Sequence, residues 1–118
     1  MAHSIDIDRI DITIANGQSL SAEVDLGAKV LVGIAMPVGW DAATLTFQVS
    51  QDGGETWLEH TTSTGSAVSL TVDAGQYIAV DPALWRGVNA VRLRSGTAVT
   101  PVNQSANRTL TLMTRMVA

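Results

Sequence analysis

Apolar side chains recur at every second position in segment after segment of this chain, and that pattern dominates its periodicity. Neighbouring side chains of a strand point to opposite faces, so period-2 segments build half-buried strands. Ile5 and Ile7 share one parity, while Ile10, Ile12 and Ile14 share the other. The slip falls at Asp8–Arg9, where a bulge or bend would restore the inward face. Leu20, Ala22, Val24 and Leu26 alternate with Ser21, Glu23 and Asp25 after a tight-turn signal at Asn16-Gly17. Residues 30–36 are apolar on both parities, which predicts a central strand covered on both faces. Leu45, Phe47 and Val49 alternate with Thr44, Thr46 and Gln48, and Trp57 to Thr62 returns after a Gly-Gly turn. Further segments are Val68, Leu70 and Val72, then Tyr77 to Val80, then Val91 and Leu93 between Arg92 and Arg94, then Arg108 to Val117. That makes about nine short strands separated by turn signals. Only Pro82 to Gly87 suits a helix, of one turn at most, with Asp81 as N-cap and Pro82 at the first helical position. Strands without crossover helices pair antiparallel, so the expected fold is an all-β antiparallel β-sandwich or jelly roll.

The 118 residues suit one domain, residues 1–118. A chain of this size buries about two-thirds of its unfolded surface and folds without staples. It has no cysteine, which removes disulfides, thiol catalysis and Cys-based zinc sites. With 46% hydrophobic and 15% charged residues it does not have the composition of a disordered chain. One lysine, Lys29, and six arginines stand against eleven acids, for a net charge of -4. That balance gives no electrostatic footprint for nucleic acid or for an anionic membrane. Met1 to Asp11 has neither a basic n-region nor an apolar h-region, so no targeting segment is expected there. The longest low-polarity run, Val30 to Val38, is far shorter than the about 20 residues a membrane helix needs.

One motif is sharp. Residues 50–57 read S-x-D-x-G-x-T-W through Ser50, Asp52, Gly54, Thr56 and Trp57. Gly53 and Gly54 supply the positive φ a tight hairpin requires. The Asp52 carboxylate is placed to accept turn N–H groups, and the Ser50 hydroxyl to do the same more weakly. Trp57 is expected to fold back and bury its ring at the hairpin base. The pattern resembles the Asp-box, the hairpin motif repeated in sialidases and other β-propellers. In those proteins its role is structural, and a propeller needs several copies where this chain has one.

Other constellations are thinner. His3 and His60 are the only histidines, and His60 stands beside Glu59 on a strand, where the two point to opposite faces. Both read as surface histidines rather than zinc ligands. Ser50, His60, Glu59 and Asp52 supply the elements of a nucleophilic triad, but no G-x-S-x-G elbow accompanies them. Asp6, Asp8 and Asp11 lie in one strand with Glu23 and Asp25 in the next, where cross-strand carboxylates would offer hard oxygen ligands to calcium. No loop signature supports that, so solvated faces are expected, with no metal and no cofactor. Trp40 and Trp85 sit in loops. Such tryptophans serve as lids over a sandwich core, as interface anchors or as sugar-stacking platforms. Arg86, Arg92 and Arg94 form a set suited to directed hydrogen bonding, either with a neighbouring subunit or within a solvated strand face. Trp40, Trp85, Arg86, Arg92 and Arg94 are therefore the candidate contact residues.

Three stretches carry a second resemblance. They are Ile34-Ala35-Met36-Pro37 leading to Gly39-Trp40-Asp41-Ala42-Ala43, the Leu45-Thr46-Phe47-Gln48 strand entering the S-x-D-x-G-x-T-W turn, and Leu93-Arg94-Ser95-Gly96-Thr97 followed by Pro101-Val102-Asn103-Gln104. Together, over roughly residues 30–112, they resemble small β-sandwich proteins of tailed-phage and prophage structural gene clusters. The resemblance implies a virion component without catalytic residues, such as a head-decoration protein or a head- or tail-fibre part. Its partners would be major capsid or other virion proteins and further copies of itself. A carbohydrate-binding module or fibre-tip receptor-binding domain is the alternative, with glycan as its ligand.

Overall fold

The computed structural model describes residues 7–116. Among them, eight strands run β1 (Ile7–Ile14), β2 (Val24–Asp25), β3 (Lys29–Ala35), β4 (Leu45–Ser50), β5 (Leu58–Glu59), β6 (Tyr77–Ala79), β7 (Ala90–Ser95) and β8 (Arg108–Met116). A single 3-10 turn, Pro82–Trp85, stands between β6 and β7. Two four-stranded sheets form, ordered β1-β8-β3-β6 and β2-β7-β4-β5. Every strand pairing is antiparallel. The fold is an antiparallel β-sandwich, and no helix among the described residues is long and apolar enough to cross a membrane.

The core lies between the sheets. Ile14, Leu31, Ile34, Leu110 and Leu112 of the first sheet and Leu45, Phe47, Val91 and Leu93 of the second are fully buried. Alternation produces this directly, since Phe47 and Leu93 face inward while their neighbours Gln48 and Arg92 face out. β3 is a central strand, as its apolar run predicts, flanked by β8 and β6. The 3-10 turn starts as its residues require. Asp81 caps it by accepting from the Ala83 N–H at 3.0 Å, and Pro82 follows.

Two parts of the strand reading differ from the structure. The register of β1 on β8 is unbroken from Ile7↔Arg115 to Ile14↔Arg108, so no bulge falls at Asp8–Arg9. Ile7 is simply left 44% exposed, and Ile5 lies outside the described residues. The slips occur elsewhere. In β3 the register shifts between Leu31 and Gly33. Between Leu20 and Val24, Ser21 is buried and Ala22 exposed, because the Ser21 hydroxyl accepts the Leu93 N–H at 3.0 Å in place of a backbone carbonyl. Only Val24–Asp25 then continues as a strand. The second difference is at residues 68–72. Val68 and Val72 are buried, yet this segment joins the sheet only through an isolated bridge between Leu70 and Leu45. Side-chain alternation there reflects core burial without a ladder.

Candidate functional site

The outer face of the second sheet gathers most of the singled-out polar residues. β7 sends Arg92 and Arg94 outward, and the register places Arg94 beside Thr46 and Arg92 beside Gln48, with Glu59 of β5 next in the row. Arg94 donates through Nε to Thr46 Oγ1 at 2.9 Å and forms an ion pair with Glu59. Thr46 in turn donates to the Gly96 carbonyl at 2.7 Å. The Arg94 side chain is 7% exposed, so its charge is held by Glu59 and is not presented to a partner. This corrects its reading as a contact residue. The Arg92 guanidinium lies 4.2 Å from the centre of the Trp57 ring, a cation–π stack, and Nη1 is 3.5 Å from Gln48 Oε1. Trp57 and Arg92 are each half-buried.

At the end of the same hairpin the turn bonds form as the residue types require. Ser50 donates to Asp52 Oδ1 at 2.7 Å, and its oxygen accepts the Gly54 N–H at 2.9 Å. Asp52 Oδ1 also accepts the Thr56 N–H at 2.9 Å. The Ser50 hydroxyl first, and then the Thr56 backbone, hold the Asp52 carboxyl down to about 2. Gly53 and Gly54 adopt φ of 76° and 97°, where other residues are strained. Asn89 closes the turn from outside, accepting from the Gly53 N–H at 3.3 Å and donating to the Gln51 carbonyl at 3.2 Å. Every polar group named here bonds within the turn or to Asn89, which makes this a structural clasp.

Trp40 and Trp85 are not surface platforms. Trp85 is fully buried, edge-on to Phe47 at 4.9 Å and to His60 at 4.7 Å between ring centres. Trp40 is 6% exposed and donates through Nε1 to the Ala43 carbonyl at 3.1 Å. Both close the core, and neither offers a ring face to a sugar or a partner. His60 likewise departs from the surface reading. It faces inward against Trp85 while Glu59 faces out to Arg94, and burial pushes its pKa down. Among the described residues neither His60 Nε2 nor Trp85 Nε1 has a hydrogen-bond partner. Ser50, Asp52 and His60 thus do not converge as a triad. His3 lies outside the described residues.

The acids do not assemble either. β1 belongs to the first sheet and β2 to the second, so the expected cross-strand group does not exist. Asp8 pairs with Lys29, Asp11 accepts from the Thr111 hydroxyl at 2.8 Å, and Asp25 accepts the Gly27 N–H at 2.8 Å. Asp6 lies outside the described residues. Arg86 is exposed and lines an open cleft of about 300 Å³ with Lys29, Val30, Trp85, Val88 and Asn89.

Sequence reasoning missed one buried network. Gln104 is fully buried, accepting the Asp41 N–H at 2.9 Å and donating to Ser95 Oγ at 2.8 Å. Asp41 accepts from the Ser105 backbone at 2.7 Å and from Arg108 at 3.1 Å. The Ser105 hydroxyl and backbone lower the Asp41 pKa against a smaller opposing effect of burial, and Arg108 adds a lesser lowering. A glutamine in a loop carries no local signal of this role, because Asp41, which it both accepts from and donates to, lies 63 residues away.

Fold and site together define an all-β sandwich whose polar side chains are largely bound to one another. No protein-family model matches the chain, and no curated protein matches it. Among solved structures it is similar to the crystal structure of the F5/8 type C domain of a Bacteroides fragilis protein, with 16% identity and a TM-score of 0.48. The match covers 80% of this chain and 64% of that one.

Proposed function

We propose that this chain is a non-enzymatic structural component of a tailed-phage particle, a capsid-surface decoration or minor head protein that binds neighbouring capsid subunits and further copies of itself. One observation carries the emphasis on contact. The first sheet ends in β1, an edge strand of eight residues that pairs with β8 on one side only. A long open edge is a template for pairing with another chain. On the outer face beside it, Thr13 bonds to Thr109 at 2.8 Å and Tyr77 lies over Gly33. The residue pattern shared with small virion sandwiches supplies the setting. The test is to express a tagged chain during phage production and follow it through density-gradient purification. Co-migration with particles, at regular head-surface positions by electron microscopy, is the expected result. A chain absent from purified particles overturns the reading.

Glycan binding is the second reading, and one observation favours it: Trp57, half-buried, shares an outer face with Gln48 and Arg92. A glycan array with Trp57→Ala as control decides it. A signal lost on that substitution supports it, and no signal removes it.

A further inference from the structure

We propose that two copies of this chain join through the free edges of their β1 strands, antiparallel about a two-fold axis at Ile10, to form one continuous eight-stranded sheet. The inference rests on the reading of this protein as one that works by contact, and names the surface.

Strand length selects the edge. The other edge strands are β6, of three residues, and β2 and β5, of two each, too short to template a partner. β1 offers eight consecutive residues without proline or glycine. Alternate residues of an edge strand point their N–H and C=O groups away from the sheet. No strand among the described residues pairs with that row, and an antiparallel copy satisfies it with backbone bonds.

The charges of β1 select the register. Odd-numbered side chains, Ile7, Arg9, Asp11 and Thr13, lie on the outer face, and Ile10, Ile12 and Ile14 turn inward. A two-fold axis perpendicular to the sheet pairs residues of like parity, so the candidate registers differ by steps of two. With the axis at Ile10, Arg9 faces the partner's Asp11, and Asp11 faces the partner's Arg9. Ile10 meets the partner's Ile10, and Ile7 meets the partner's Thr13. With the axis at Arg9, two arginines oppose each other directly. With the axis at Asp11, two carboxylates do. Opposite charges across a strand pair stabilise it and like charges destabilise it, so the Ile10 register is preferred over both neighbours.

The state of these groups agrees. Arg9 is exposed and forms no hydrogen bond or ion pair among the described residues. Asp11 is bonded through one oxygen to Thr111, which leaves its second oxygen for a guanidinium. Ile7 is 44% exposed on the same face, where the partner's Thr13 would cover part of it. Charged edge residues ordinarily block pairing. Here Arg9 and Asp11 block the two flanking registers and admit the one between them, which makes the strand self-complementary in the isologous sense a two-fold interface requires.

Sedimentation velocity on the full chain over a wide concentration range is the first test, and a monomer–dimer equilibrium is expected. Arg9→Glu sets carboxylates against the partner's Asp11 twice, and dimerisation should weaken about tenfold or more. The double variant Arg9→Asp, Asp11→Arg restores both attractions with the signs exchanged and should recover the dimer. Circular dichroism checks that each variant stays folded, which exposed Arg9 makes the expectation. A second measurement uses the absence of cysteine. Ile10→Cys places two thiols across the axis, within the span a disulfide bridges, so oxidation should give a covalent dimer. A chain that stays monomeric, or a dimer indifferent to Arg9→Glu, overturns the proposal. A monomer that still binds particles refutes the dimer alone, and a charge-dependent dimer that binds none refutes the virion role alone.

Discussion

Replacing Trp85 by alanine should be the most damaging single truncation among the three tryptophans, although local sequence marks it only as a loop residue. The ring is fully buried against Phe47 and His60. Truncation removes on the order of 150 Å² of buried apolar area, worth about 4 kcal/mol at the usual transfer coefficient. Large-to-small substitutions of buried aromatics independently suggest about 3–5 kcal/mol. A domain of this size is stable by about 5–15 kcal/mol, so the variant retains a fold with little margin. In urea the midpoint should fall by about 2 M, given the slope typical of a small domain. Far-UV circular dichroism is the right probe, because removing a tryptophan alters the fluorescence signal itself. Trp57→Ala is the internal reference. Its ring is half-buried and its main specific contact is Arg92, so about 1 kcal/mol is expected. The reasoning fails if Trp85→Ala loses less than about 1 kcal/mol, or no more than Trp57→Ala.

Three further outcomes follow from the site geometry. Ser50→Ala removes a donor to Asp52 and the acceptor for Gly54, and should lower stability by about 1–2 kcal/mol in the same denaturation assay. Glu59→Gln should destabilise more than Arg94→Met, because the first leaves a buried guanidinium without its counter-charge while the second replaces the pair's buried half with an apolar chain; thermal melts of both variants rank them. Stability should fall on acidification in two stages. His60 has a lowered pKa, so the unfolded chain binds its proton first and stability declines as pH drops below 6.5; His60→Phe should abolish this stage. Asp52, held down to about 2 from 3.8, contributes fully above 3.8, and that contribution disappears as pH falls through about 2.

Legibility tracked the range of the interaction. The Ser50–Asp52 turn was readable because all its partners lie within seven residues, and residue type plus spacing fixes such geometry. Asn89, which closes the same turn from just before β7, was not, since only the β4–β7 register brings it there. Alternation placed Leu45, Phe47 and Leu93 inside correctly, because parity and burial are one fact in a two-layer sandwich. It misplaced a slip near Asp8, because β1 keeps one register on β8 and leaves Ile7 on the exposed face instead of bulging to bury it.

The residues by themselves therefore determined an all-β chain of short antiparallel strands with a hydrogen-bonded hairpin turn, since period and turn chemistry are local. The tertiary structure alone decided the rest. It put β1 and β2 in different sheets and dissolved the expected acid cluster. It buried Trp40, Trp85 and His60, and tied Arg94 to Glu59. It also left β1 at an open edge, a property of sheet order that no single strand encodes. The physical reason is separation along the chain: Ile7 of the first strand pairs with Arg115 of the last, and no local pattern specifies that meeting.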